Sequence, residues 1–163
     1  MTTLINELES SGKLTQLQDY VRDSAENTKN FHCPVCEKRA TVYKRKLHSE
    51  MARFLISLYV RDRIYSRYYT MREIFPGSNK AASDGSYLVH WNLVEKADNT
   101  NSAGAPAGAY KITFKGKAFV AGQLSVPSHC HMYNNEVVGW SDKHVMIRAA
   151  LGSKFSYDEL LRG

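Results

Sequence analysis

The stretch Ser49-Glu50-Met51-Ala52-Arg53-Phe54-Leu55-Ile56-Ser57-Leu58-Tyr59 decides how the rest of the chain reads. Met51, Phe54, Leu55, Leu58 and Tyr59 recur at three- and four-residue steps, so a helix lays them in one apolar stripe. His48 or Ser49 can begin that helix. Arg61, Arg63 and Arg67 cluster near its end, where cations suit the helix dipole.

Toward the C-terminus, Thr70 and Glu73 form a capping box for a short helix. Ile74 and Phe75 give it a buried side, and Pro76-Gly77 stops it. A third helix is expected from residue 81 or 83 to Trp91, with Leu88 and Trp91 inward and Gly85 working against it. Asn92 suits a left-handed helix end. Leu93-Val94-Glu95-Lys96 reads as a strand, 97–109 as a polar loop, and Tyr110-Lys111-Ile112-Thr113-Phe114 as a second strand by alternation. Residues 115–123 then form a short helix that buries Phe119 and Val120. Beyond it, strands over 125–133 and 136–140 are joined by Asn134-Asn135, a good two-residue turn, and Ser156 with Glu159 caps a closing helix.

Toward the N-terminus, Leu14, Leu17, Tyr20 and Val21 recur at helical spacing after Gly12. His32-Cys33-Pro34-Val35-Cys36 follows. Val42 and Tyr43 then favour a strand, and the lysines and arginines around them suggest an exposed edge. The expected organisation is an α+β chain: a helical arm over 1–30, a CxxC turn and basic strand over 31–48, a central domain over 49–123, and a hairpin-plus-helix extension over 124–163.

Composition narrows the function classes. With 163 residues, 43% of them hydrophobic and 23% charged, the chain can bury a core, which argues against wholesale disorder. The sequence has no apolar run of membrane-spanning length, and Met1 to Glu7 lacks the basic and apolar halves of a signal peptide. Three cysteines, two of them in a CxxC, argue for a reducing compartment, so the expected location is cytoplasmic, with no membrane partner. A net charge of +6 fits a nucleic-acid partner, and fits an acidic protein partner too.

The order helix, short helix, helix, strand, loop, strand resembles a winged helix-turn-helix. Trp91-Asn92-Leu93-Val94-Glu95 is similar to the helix-end turn of that superfamily, with Asn92 where glycine is usual. Ile112-Thr113-Phe114-Lys115-Gly116-Lys117-Ala118-Phe119-Val120 resembles the strand-to-helix junction after its wing. The whole chain also resembles a group of bacteriophage-encoded proteins with no assigned activity. That likeness rests on Cys33-Pro34-Val35-Cys36, Val42-Tyr43-Lys44-Arg45, Met51-Ala52-Arg53 and Phe155-Ser156-Tyr157-Asp158-Glu159-Leu160, and implies a bacterial host cytoplasm.

The superfamily resemblance implies double-stranded DNA as partner, with the third helix in the major groove and the loop between the last two strands against the backbone. The reading surface would then be Asn79, Lys80, Ser83, Asp84, Ser86, Tyr87 and His90, with Lys96 and Lys111 flanking the wing. That surface is poor in cations. Lys44, Arg45 and Lys46 form a separate basic patch that can supply phosphate contacts. The alternative is an adaptor or inhibitor, a phage factor that docks on a host protein through the same fold.

Cysteines two residues apart can grip one tetrahedral ion, which makes Cys33 and Cys36 half of a structural zinc site. His129-Cys130-His131 could complete it, the two histidines from one strand face or the cysteine from the other. Two alternatives stand beside this: a metal-free turn with Cys130 buried as a small apolar residue, and one zinc shared by the CxxC pairs of two chains in a homodimer. A catalytic role is not expected, because the sequence carries no phosphate-cradling glycine loop, metalloprotease helix or nucleophile elbow.

Overall fold

Helix periodicity and β-prone segments alternate along the chain, and the fold is accordingly mixed, α+β. A computed structural model describes residues 10, 12–76, 84–98 and 104–163. The chain forms two compact units: unit 1 is Met1–Lys44 with His131–Gly139, and unit 2 is Arg45–Cys130 with Trp140–Gly163. The chain passes from one unit to the other within three strands, β1 (Tyr43–Lys46), β5 (His129–Tyr133) and β6 (Glu136–Trp140).

Unit 2 is built on α2 (Ser49–Ile64), the helix that the apolar stripe predicts. Met51, Phe54, Leu55, Ile56 and Leu58 are buried along it. It packs against α3 (Met71–Ile74), β3 (Tyr110–Ile112), α4 (Phe114–Val120), α5 (Ile147–Leu151) and α6 (Tyr157–Arg162). Tyr69 links the end of α2 to the sheet. Its hydroxyl donates to the carbonyls of Tyr65 at 2.7 Å and Arg61 at 3.0 Å, while its backbone exchanges two 2.8 Å hydrogen bonds with Tyr110. The capping box at α3 is complete, since Thr70 Oγ1 accepts from the Glu73 amide and Glu73 Oε2 accepts from the Thr70 amide.

Over the described residues, the third helix ends at Val89 rather than at Trp91. Of the described residues, Asp84 and Gly85 are helical, and Ser86–Val89 is a turn of 3-10 helix. Gly85 has a packing reason: a Cβ there would lie 2.8 Å from the Phe54 ring. Leu88 and Trp91 are buried, and Asn92 is left-handed with φ 58°. The antiparallel hairpin β2 (Val94–Lys96) and β3 then pairs Val94 with Ile112 and Glu95 with Lys111.

Phe114 departs from the expected strand. It opens α4 with 92% of its surface exposed, because Thr113 takes the N-cap. Thr113 Oγ1 donates to the Asn92 carbonyl at 2.7 Å and accepts from the Gly116 amide at 3.0 Å, which ends β3 at Ile112, two residues earlier than expected. The expected strand over 125–133 is also two strands, β4 (Val126–Pro127) and β5. Ser128 divides them: its carbonyl accepts from the Leu47 amide, and its amide donates to the Lys143 carbonyl. β4 pairs with β7 (His144–Val145). Helix α5 follows, and the sequence reading did not anticipate it.

Unit 1 holds α1 (Lys13–Asn27), the CxxC hairpin and parts of the three shared strands. Its buried cluster is Val21, Ala25 and Ala40, with Leu17, Phe31, Cys33, Val42 and Tyr133 packed partly against it. Asn134 and Asn135, with φ 49° and 64°, give β5 and β6 the type I′ turn expected of that pair.

Candidate nucleic-acid interface and thiol pair

The basic strand and the third helix, which the sequence presents as separate patches, meet in unit 2. The Arg45 guanidinium lies 3.7 Å from the centroid of the Tyr87 ring. The ring of His90 stacks near Tyr87, with centroids 6.1 Å apart and planes at 24°. Strand geometry explains the meeting: successive side chains on β1 point to opposite faces, so Arg45 turns to Tyr87 while Lys44 and Lys46 project from the other face. Arg45 therefore belongs to the third-helix face. Burial first, and the Arg45 charge second, hold the His90 imidazole below its ordinary value of 6.5, so the ring is neutral at neutral pH.

The remaining sites sort by their partners. Asp84, which would repel a phosphate, lies 3.2 Å from His48 Nε2 across the start of α2. Ser86 is half-buried on the same turn. On the hairpin, Lys111 faces Glu95 across the strands, and its ammonium lies 5.9 Å from the Tyr68 ring centroid. Tyr68 donates to Glu95 at 2.8 Å, and burial with that carboxylate pushes its phenol up to about 12. Lys96 is exposed at the end of β2. Asn79, Lys80 and Ser83 lie outside the described residues.

Two of the arginines near the end of α2 are structural. Arg61 Nε donates to the Glu73 carbonyl at 3.1 Å. Arg67 Nη2 meets Glu73 Oε1 at 2.7 Å, and its guanidinium lies 4.1 Å over Tyr69. Arg67, together with the Thr70 amide, holds the Glu73 carboxyl at about 2. These contacts tie α2 to α3.

In unit 1 the CxxC sits on a tight hairpin. Ala40 N donates to Phe31 O at 2.9 Å, Cys33 N to Lys38 O at 2.9 Å and Glu37 N to Cys33 O at 2.8 Å, with His32 bridged to Arg39. Glu37, at φ 60°, is left-handed and closes the turn. The amides of Cys36 and Val35 donate to the Cys33 sulfur and lower its pKa. Cys130 is the opposite case, fully buried in unit 2, where burial raises its thiol.

On β5 the burial alternates, with Cys130 inward and His129 and His131 on the other face. Both histidines have neighbours of their own: His129 Nδ1 is 2.9 Å from Ser128 Oγ, and His131 Nδ1 is 3.9 Å from Glu26 Oε1. Among the described residues, no group of three or more His, Cys, Asp or Glu side chains converges on a point that could hold a metal ion. No described helix is long and apolar enough to cross a membrane.

The sequence reading did not find the Arg45–Tyr87 stack. Its signal is an arginine between two lysines on an edge strand, where alternation makes it the odd one out. No family model, curated protein or solved structure matches the chain.

Proposed function

We propose that the chain binds double-stranded DNA through a winged-helix surface in unit 2. The element order α2, α3, third helix, β2, β3 supports that fold, as does the Tyr69–Tyr110 bridge, which adds a short pairing between the first two helices and the hairpin. The observation that carries the reading is Arg45 stacked 3.7 Å over Tyr87. It gives the third helix a cation that its own residues do not supply. Arg45 contributes a phosphate or guanine contact, and Tyr87 and His90 present polar edges to the groove. A chain of net charge +6 adds general attraction to the duplex.

The test is duplex binding across a salt series. The expected result is a linear loss of affinity on a log–log plot, and Arg45→Ala should flatten the slope by about one unit. Tyr87→Ala should weaken preference among sequences, whereas Tyr87→Phe, which keeps the ring under Arg45, should largely retain binding. Folded protein that binds no duplex at low salt would overturn the reading. Capture of a host protein, lost on Tyr87→Ala, would then place the same surface in a docking role.

A further inference from the structure

Unit 1 sets two sulfurs on a rigid turn above a very small apolar cluster. Hydrogen bonds between residues 31 and 40 fix both arms of the hairpin, and left-handed Glu37 turns the chain directly after Cys36. The Glu37 amide donates to the Cys33 carbonyl at 2.8 Å and closes the turn that carries both cysteines. Cys36 is exposed, and Val35 between the two cysteines is 67% exposed.

We propose that Cys33 and Cys36 provide two ligands of a tetrahedral zinc site, and that a second copy of this chain provides the other two. Three further observations lead to this assignment. The first is ligand number: structural zinc takes four protein ligands in a closed site, and no third described side chain of this chain joins the pair. Two hairpins facing each other complete the set with four thiolates. Lys38 and Arg39 on each hairpin then offset the net negative charge of the four-sulfur complex.

The second is the surface around the pair. An open cleft of about 520 Å³ in unit 1 is lined by Leu14, Leu17, Val21, Cys33, Val35 and Val138, among others. A second hairpin seated at the sulfurs would cover exposed Val35 at the edge of that cleft. The third is the size of the core. Val21, Ala25 and Ala40 bury little apolar area, and small units of this kind are commonly stapled by a metal. A dithiol redox role fits less well. Redox CxxC pairs sit where the second cysteine enters a helix, whereas Cys36 leads into an extended arm and the next helix begins at Ser49.

The site stands independently of DNA binding, and its test uses the full chain. Metal-free protein, kept reduced, is titrated with Zn²⁺ while its mass is followed by light scattering, and the titration is repeated with Co²⁺. The expected result is saturation at one ion per two chains, a twofold rise in mass that a chelator reverses, and a Co²⁺ spectrum with intense sulfur charge-transfer bands and tetrahedral visible bands. Cys33→Ser and Cys36→Ser should each abolish uptake and dimer together, while His131→Gln should leave both in place. Stoichiometry and mass of the unaltered chain decide the matter even where a cysteine variant misfolds. One ion per monomer, uptake without a change in mass, or no uptake would each overturn the proposal.

Discussion

Around α2, unit 2 buries whole aromatic and branched side chains, Phe54, Leu55, Leu58, Leu88, Trp91 and Phe119, whereas unit 1 closes on Val21, Ala25 and Ala40. Fully burying a leucine or phenylalanine contributes about 1.5–3 kcal/mol, and an alanine methyl far less. Unit 2 is therefore held by packing, and unit 1 by hydrogen-bonded turns and, on the proposal above, by metal. The difference teaches where a substitution in this chain acts through volume and where it acts through geometry. It also provides a probe, because both tryptophans, Trp91 and Trp140, lie in unit 2, and tryptophan fluorescence reports that unit.

Core truncation tests the comparison most strongly. Phe54 touches the rings of Phe75 and Tyr110, with centroids 6.1 Å away in each case, and is fully buried. Phe54→Ala should cost unit 2 about 3–5 kcal/mol in denaturant unfolding followed by tryptophan fluorescence. Val21→Ala removes two methyl groups and should cost about 1–2 kcal/mol, read as faster amide exchange across Lys13–Asn27 with the fluorescence transition in place. If Val21→Ala lowers the fluorescence midpoint as far as Phe54→Ala does, the two units unfold as one and the contrast fails.

A close backbone approach gives the next effect. A Cβ on Gly116 would lie 2.1 Å from the Leu93 carbonyl oxygen and 2.7 Å from Ile112 Cγ1. Backbone has to move to admit it, so Gly116→Ala should cost about 3 kcal/mol, at the upper end of ordinary overpacking. A thermal midpoint equal to that of the parent would show that α4 and the β2–β3 hairpin do not pack this closely.

Much of this fold was legible in the sequence because local rules and tertiary packing agree there. The apolar stripe of α2, the Thr70–Glu73 box, left-handed Asn92 and the Asn134-Asn135 turn each follow from residues within one or two turns of chain. The misreadings arise where two local rules compete. Phe114 continues an alternating strand, but Thr113 is also a good cap, and the cap prevails because its hydroxyl reaches Asn92 across the hairpin. Gly85 looks like a weak point until Phe54, thirty-one residues earlier, is seen against it.

The candidate surface was legible in its residues and not in its geometry. Lys44, Arg45 and Lys46 are adjacent in sequence, yet the pleat separates Arg45 from its neighbours, and its pairing with Tyr87 spans more than forty residues. The thiol pair shows the same limit. Spacing pairs Cys33 with Cys36, and nothing local indicates what else would join them.

Capping supplies a smaller test within unit 2. Thr113 bonds both Asn92 and Gly116, whereas Ser156 accepts only a 3.3 Å bond from the Glu159 amide at an exposed helix. Thr113→Ala should therefore cost about 1–2 kcal/mol, and Ser156→Ala about 0.5 kcal/mol. Equal losses would mean that the Asn92 contact adds nothing to the cap.

The smallest effect concerns His90. Burial and the Arg45 charge depress its pKa in the folded chain, while the unfolded chain keeps the ordinary value of 6.5. Above that value both states hold a neutral ring and His90 adds no pH dependence. As pH falls through it, the unfolded state takes up a proton that the folded state does not, so stability declines until pH reaches the depressed folded value. His90→Gln should flatten that part of the profile on the acid side of 6.5, and Arg45→Gln should flatten it partially, because burial is the larger cause. The measurement is the denaturant midpoint from tryptophan fluorescence at a series of pH values for the parent and both variants. Parallel curves for parent and His90→Gln would show that the ring is not held neutral against Arg45 and would remove the electrostatic half of the contact that joins the basic strand to the third helix.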